Sequence, residues 1–139
     1  MSNERPYARA MQRLQGAGLR PTRQRLGLAR LLFDRGDRHV TAEQLHGEAM
    51  GDSLKVSLAT VYNTLNQFTE AGLLREVVVE AGRSYFDTNT SAHHHFFHER
   101  DGMLEDIPSD HVVLTRVPEP PPGKKVARVE VIVRLSDAG

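Results

Sequence analysis

The apolar periodicity of this chain changes once, near Gly72, and that change limits the architectures open to it. Before Gly72 the apolar residues recur at helical spacing; after it they fall into short alternating runs. Tyr7, Ala10, Met11, Leu14 and Ala17 mark a first helix, which Gly16 and Gly18 end. Pro21-Thr22 restarts the chain, with Thr22 as the expected N-cap of a helix carrying Leu28, Leu31 and Leu32. Thr41-Ala42-Glu43-Gln44 has capping-box spacing, so a third helix is expected from near Ala42 to about Gly51. Ser57 is the expected N-cap of a fourth, with an apolar stripe of Leu58, Val61, Leu65 and Phe68 and a stop at Gly72.

Strand patterns follow. Leu74 to Val79 is apolar and β-branched, Glu80 to Arg83 reads as a turn, and Ser84 to Asp87 returns. Four helices ending in a hairpin outline a winged helix-turn-helix over residues 1–88. Residues 89–92 are small and polar and read as a hinge. Residues 93–139 form a second domain, giving an α+β chain overall. Its expected elements are strands at His93–His98 and around Met103–Ile107, a short helix near Asp110–Arg116, and a last strand from Ala127 to Leu135 after the proline-rich loop at 118–123.

The bulk properties exclude several classes. There is no cysteine, hence no disulfide, thiol catalysis or thiolate metal site. No apolar run approaches the ~18 residues of a membrane span, and residues 1–7 lack a signal peptide's apolar core, so the expectation is a cytoplasmic protein with no membrane partner. The zero net charge conceals an asymmetry. Residues 1–38 carry nine Arg against Glu4, Asp34 and Asp37, a net +6, while residues 39–82 carry −4 and residues 83–139 carry −2. One basic segment with an acidic remainder suits a polyanion on one face only.

The fourth helix supplies a candidate reading surface. Advancing 100° per residue from Leu58 puts Ala59, Thr60, Asn63, Asn66 and Gln67 opposite the apolar stripe, with Tyr62 on the flank. A merely solvated face normally uses Lys and Glu. Thr, Asn, Gln and Tyr instead suit base edges and phosphates, and the small Ser57, Ala59 and Thr60 allow close entry into a major groove. Arg20, Arg23 and Arg25 are then candidates for phosphate or minor-groove contacts.

Four of the seven histidines lie in His93-His94-His95-Phe96-Phe97-His98. On a strand His93 and His95 share one face, and His94, Phe96 and His98 the other. Two imidazoles at i and i+2 can chelate one ion, with Asp87 and Asp106 on the flanking segments as further ligands. Imidazole with carboxylate, and no thiolate, suits Fe²⁺, Mn²⁺ or Zn²⁺. A metal-dependent hydrolase could use the same ligands, but no poised nucleophile or isolated general base accompanies them, so an enzyme is not expected.

Gly18-Leu19-Arg20-Pro21-Thr22-Arg23-Gln24-Arg25, His39-Val40-Thr41-Ala42-Glu43, Ser57 to Leu65 and His93-His94-His95 together resemble the ferric uptake regulator family. The likeness is greatest to the iron response regulator branch of alphaproteobacteria. The resemblance implies a homodimeric repressor of iron or haem homeostasis that binds a palindromic operator in double-stranded DNA. It implies base contact by Tyr62, minor-groove approach by Arg20, and DNA contacts by Arg23, Ser57, Thr60 and Asn63. It implies a metal site of His39, Asp87, His93, His95 and Asp106, where His39 rests on the resemblance alone. From the branch it implies haem at the triple histidine His93, His94 and His95, with a haem-delivering protein as a further partner. A peroxide-sensing ferrous centre uses a similar set of three His and two Asp. The cysteine zinc site of many members should be missing, because His98 and Asp101 stand where its first pair would be. Ala92 and His94 replace residues of an additional family metal site, and the Cys-Pro haem motif is lacking.

Overall fold

A computed structural model describes residues 6–138; residues 1–5, where most of the segment read for a signal peptide lies, and residue 139 fall outside the described residues. The chain divides into two compact units, Met1–Thr90 and Ser91–Gly139.

In the first unit the helices are α1 (Ala8–Gly16), α2 (Arg23–Phe33), α3 (Ala42–Gly51) and α4 (Leu58–Glu70). Each of the last three starts where a side chain satisfies an otherwise unpaired N–H of the first turn. Thr22 Oγ1 accepts from Arg25 N at 3.2 Å, Thr41 Oγ1 from Gln44 N at 3.1 Å, and Ser57 Oγ from Thr60 N at 3.1 Å. Each such cap contributes about 1 kcal/mol. Helix α4 ends as expected at Gly72. With φ at +83°, it lets Leu73 N donate to Phe68 O at 2.9 Å and Gly72 N to Thr69 O at 3.0 Å, closing the last turn. Helix α3 ends at Gly51, as expected. The left-handed residue after it is Ser53 (φ +59°), two positions beyond Gly51, and Leu54 N reaches back to Ala49 O at 2.9 Å.

The helices pack around Leu14, Leu28, Leu32, Leu45, Val61, Leu65 and Phe68, all essentially inaccessible to solvent. The Phe33 and Phe68 rings lie 6.4 Å apart, and the Arg13 guanidinium sits 4.6 Å from the centre of the Phe33 ring. Leu58 was expected in the buried stripe but is 36% exposed, and Thr64, at 5%, takes its place. The reason is positional. At 100° per residue Thr64 lies 40° from Phe68, on the edge of the stripe, whereas Leu58 is the first residue of the helix.

A three-stranded sheet completes this unit: β1 (His39–Val40), β2 (Arg75–Glu80) and β3 (Arg83–Asp87), in the order β1-β3-β2 and all antiparallel. The β2–β3 hairpin turns through Gly82 (φ +74°) and is the wing. The two-residue strand β1 has no signal in the sequence and was not foreseen. It pairs His39 with Asp87 and Val40 with Phe86.

The second unit is built on β4 (His94–His98), β5 (Met103–Ile107) and β6 (Ile132–Leu135), in the order β5-β4-β6. Strand β4 runs antiparallel to β5 and parallel to β6. Two expectations are corrected here. The helix near Asp110–Arg116 is only a 3₁₀ turn at Ser109–His111, and the strand expected from Ala127 begins at Ile132. Near the start of β4, Val131 still accepts from His95 N at 3.2 Å and donates to His94 Nδ1 at 3.0 Å, whereas Val129 lies upstream of that end with no register partner on β4. The four prolines between 118 and 122 lack N–H donors and keep the preceding segment out of regular structure. No helix among the described residues is long and apolar enough to cross a membrane.

Phe68→Ala would leave a void beneath α4 against Phe33. The expected loss is about 3–5 kcal/mol of unfolding free energy, read from urea denaturation followed by circular dichroism.

Candidate metal centre and nucleic-acid interface

The outward surface of α4 presents Ala59, Tyr62, Asn63, Asn66 and Gln67 to solvent, with Thr60 half-buried. The polar groups here are already organised by the protein. Ser57 Oγ, besides capping the helix, donates to Thr60 Oγ1 at 2.9 Å. Tyr62 donates its phenolic proton to Glu43 Oε1 at 2.6 Å, which joins α4 to the first turn of α3. Arg20 and Arg23 are exposed at the start of α2. Arg25, expected as a phosphate or minor-groove contact, also acts as a brace. It is half-buried, and its two terminal nitrogens donate to Arg20 O and to Gln67 Oε1, each at 3.0 Å. It thereby holds the Arg20 loop against α4.

Sequence reasoning missed Glu43 as a member of this surface. Its only signal was its place in the capping box, which says nothing of a partner 19 positions away. The phenol bond holds the Glu43 carboxyl below the usual carboxylate range, with a smaller contribution from its own backbone N–H. The same bond raises the Tyr62 phenol above its ordinary value, because ionisation would forfeit it and set phenolate against carboxylate.

The metal-type residues fall into two groups, one in each unit. In the first unit, His39 on β1 and Asp87 on β3 are register partners, so their side chains leave the same face of the wing sheet. Arg75 of β2 is Asp87's register partner on the other side. Asp87 is 1% exposed and Arg75 6%, and Asp87 Oδ1 accepts from Asn89 N at 2.9 Å.

In the second unit, His93 and His95 alternate onto one buried face, at 6% and 1% exposure, with ring centres 4.5 Å apart. Their Nε2 atoms lie 3.2 Å and 3.3 Å from the same Asp106 Oδ1, since β5 sets Asp106 directly opposite His95. His93 Nδ1 is 2.7 Å from Ser91 O. A carbonyl only accepts, so Nδ1 is the donor in this bond and Nε2 is the nitrogen turned toward Asp106; this is the orientation a metal-ligating histidine needs. Atoms bound to one ion at about 2.0–2.2 Å stand about 3 Å from each other, so this separation fits a shared divalent cation. His94 points the other way, and its Nδ1 accepts from Val131 N at 3.0 Å, fastening the chain leading into β6. His98 pairs with Glu105 at 3.0 Å.

A helix-turn-helix with a β-hairpin wing, followed by a small sheet that sets two buried histidines against Asp106, defines a winged-helix protein with a metal-type donor set. Residues 16–119 match the ferric uptake regulator family, and the chain belongs to that family. It is 39% identical over 83 residues to a ferric uptake regulation protein of Vibrio cholerae serotype O1, covering 60% of this chain and 55% of the relative. It is 34% identical over 94 residues to the peroxide-responsive repressor PerR of Staphylococcus aureus, covering 68% of this chain and 63% of the relative. The chain thus matches somewhat over half the length of these curated relatives. Its fold is similar to that of the ferric uptake regulator from Pseudomonas aeruginosa solved with manganese, with a TM-score of 0.70 and 24% identity, covering 94% of this chain and 98% of the other.

The Glu43–Tyr62 bond makes the phenol titrate late. Its contribution to stability is lost at acid pH as the solution falls through the lowered Glu43 value. At alkaline pH it is lost as the solution rises through the raised Tyr62 value. In an ultraviolet titration of the three tyrosines, the phenol absent from Tyr62→Phe should ionise above about 10, and Glu43→Ala should return it to that ordinary value.

Proposed function

We propose that the protein is a metal-responsive transcription regulator that binds a palindromic operator in double-stranded DNA as a homodimer in the cytoplasm. The observation that carries this reading is the division of the donor set. The reading unit contributes His39 and Asp87, and the second unit contributes His93, His95 and Asp106. Neither group alone is the four- to six-ligand shell that Zn²⁺, Mn²⁺ or Fe²⁺ takes. A divalent ion, when bound, would supply the positive charge that these imidazole and carboxylate donors ligate.

The chain's own residues do the rest. The Ser91 carbonyl orients the His93 ring with Nε2 forward, and Asp106 faces both imidazoles. His39 and Asp87 are fixed to the wing, so ligation by them fixes the wing and, through the shared core, α4. Metal affinity that differs between the DNA-competent arrangement and others then becomes a change in DNA affinity. On the DNA side, Tyr62 and Asn63 read base edges. Ser57 and Thr60 place the α4 N-terminus at a phosphate, and Arg20 and Arg23 neutralise backbone charge. Large apolar side chains exposed in the second unit, Met103, Val113, Leu114, Val117, Val126 and Val129, support burial against a second copy.

The effector distinguishes three readings: an iron- or manganese-loaded repressor, a peroxide-sensing ferrous centre, and a haem-responsive regulator of the iron response regulator branch supplied by a haem-delivering protein. Two imidazole nitrogens packed onto one carboxylate oxygen favour an ion over haem, whose axial ligand needs an open planar face. His94 is moreover engaged by Val131 N. The Pseudomonas aeruginosa relative solved with manganese and the peroxide-responsive Staphylococcus aureus relative support the first two.

The test is a DNA-binding titration at fixed salt, with and without Mn²⁺, Fe²⁺ and haem. In the wild type, metal should strengthen specific binding by a factor within about 5–150. The double variant His93→Ala/His95→Ala should lose that response while its affinity for random DNA stays unchanged. A surviving metal response in the double variant would remove these histidines from the sensor.

A further inference from the structure

Tyr62 stands on the second turn of α4 with 39% of its surface exposed, where an unrestrained phenol would sweep through several rotamers. It is restrained by Glu43, the second residue of α3 after the Thr41 cap. That position favours a carboxylate, since the free N–H groups of a helix start carry partial positive charge. A phenol-to-carboxylate bond of 2.6 Å is charge-assisted and short. Beside the pair opens a cavity of about 490 Å³, lined by Thr41, Asn66 and the wing residues Glu76, Arg83, Ser84 and Phe86. An acid on a surface that meets phosphates weakens binding to any DNA sequence. Its presence is intelligible if it improves reading more than it costs in attraction.

We propose that Glu43 is a positioning residue for base recognition, fixing the Tyr62 ring and taking the only proton of its hydroxyl. This rests on the DNA-binding reading given above. Tyr62 then approaches DNA as an apolar ring edge and an oxygen acceptor, not as a donor. The matching groups in a major groove are the thymine methyl and the amino groups of adenine and cytosine; guanine, which offers only acceptors there, is disfavoured.

The experiment uses the full chain loaded with Mn²⁺. The wild type enriches duplexes from a random-sequence pool, and affinities for the enriched site and for a random duplex are measured at one salt concentration. The variants are Glu43→Ala, Glu43→Gln, Tyr62→Phe and Glu43→Ala/Tyr62→Phe, each checked for an unchanged thermal midpoint. Glu43→Ala should lower the specific-to-random ratio about tenfold, the scale of one good base contact, while affinity for random DNA holds or rises. Glu43→Gln, whose amide oxygen still accepts the phenol proton, should stay within about threefold of wild type, and the double variant should match the single ones. Additive losses, an equal fall on both duplexes, or a Gln variant as impaired as Ala would overturn the positioning role. Failure of the wild type to enrich any sequence would instead defeat the DNA-binding reading itself.

Discussion

The first unit depends on the closure of a two-residue strand, His39–Val40, onto the central strand of the wing. Two residues cannot hold a strand by themselves, and the ends of this one are fastened by side chains. Arg38 N donates to Thr88 Oγ1 at 2.8 Å, Thr88 N returns a bond to Arg38 O at 2.9 Å, and the Arg38 guanidinium donates to Glu48 of α3 and to Leu31 O of α2. One arginine thus ties two helices to the wing. The same closure puts His39, Asp87 and Arg75 in a single row across three strands. Burying a carboxylate and a guanidinium on neighbouring positions is tolerable because each lowers the other's desolvation cost. It also places the Asp87 carboxylate beside an imidazole, where a cation could be shared.

The reading face of α4 follows a related logic. Its polar groups are mostly committed inside the protein: Ser57 to Thr60, Tyr62 to Glu43, Gln67 to Arg25. Side chains held this way have less freedom left to lose on binding any partner. The basic residues divide accordingly. Arg20 and Arg23 are exposed, whereas Arg25 donates to Arg20 O and to Gln67 Oε1 and so holds the loop in place.

In the second unit the strict alternation of a strand separates the histidine run into different tasks. His93 and His95 turn inward to Asp106, His94 fastens the approach to β6, and His98 pairs with Glu105 at the surface. A sequence of neighbouring imidazoles is therefore not one site. Without cysteine, a thiolate-bound zinc cannot staple this unit, and its sheet relies on ladder bonds and on Phe97, Leu104 and Ile107, which are buried.

Features decided within a turn or two of chain were legible in the residues alone. The three N-caps, the glycine stop at Gly72, the wing hairpin and the sharing of one face by His93 and His95 all depend on near neighbours. Tertiary structure alone decided the rest. It paired His39 with Asp87 and Glu43 with Tyr62, made Arg25 a brace, exposed Leu58, and confined the last strand to the four residues that β4 can accompany. Each of these joins groups distant in sequence or depends on where a neighbouring element ends. Periodicity and capping rules describe what a segment prefers, but register and partner choice follow from how the packed core brings separate segments together.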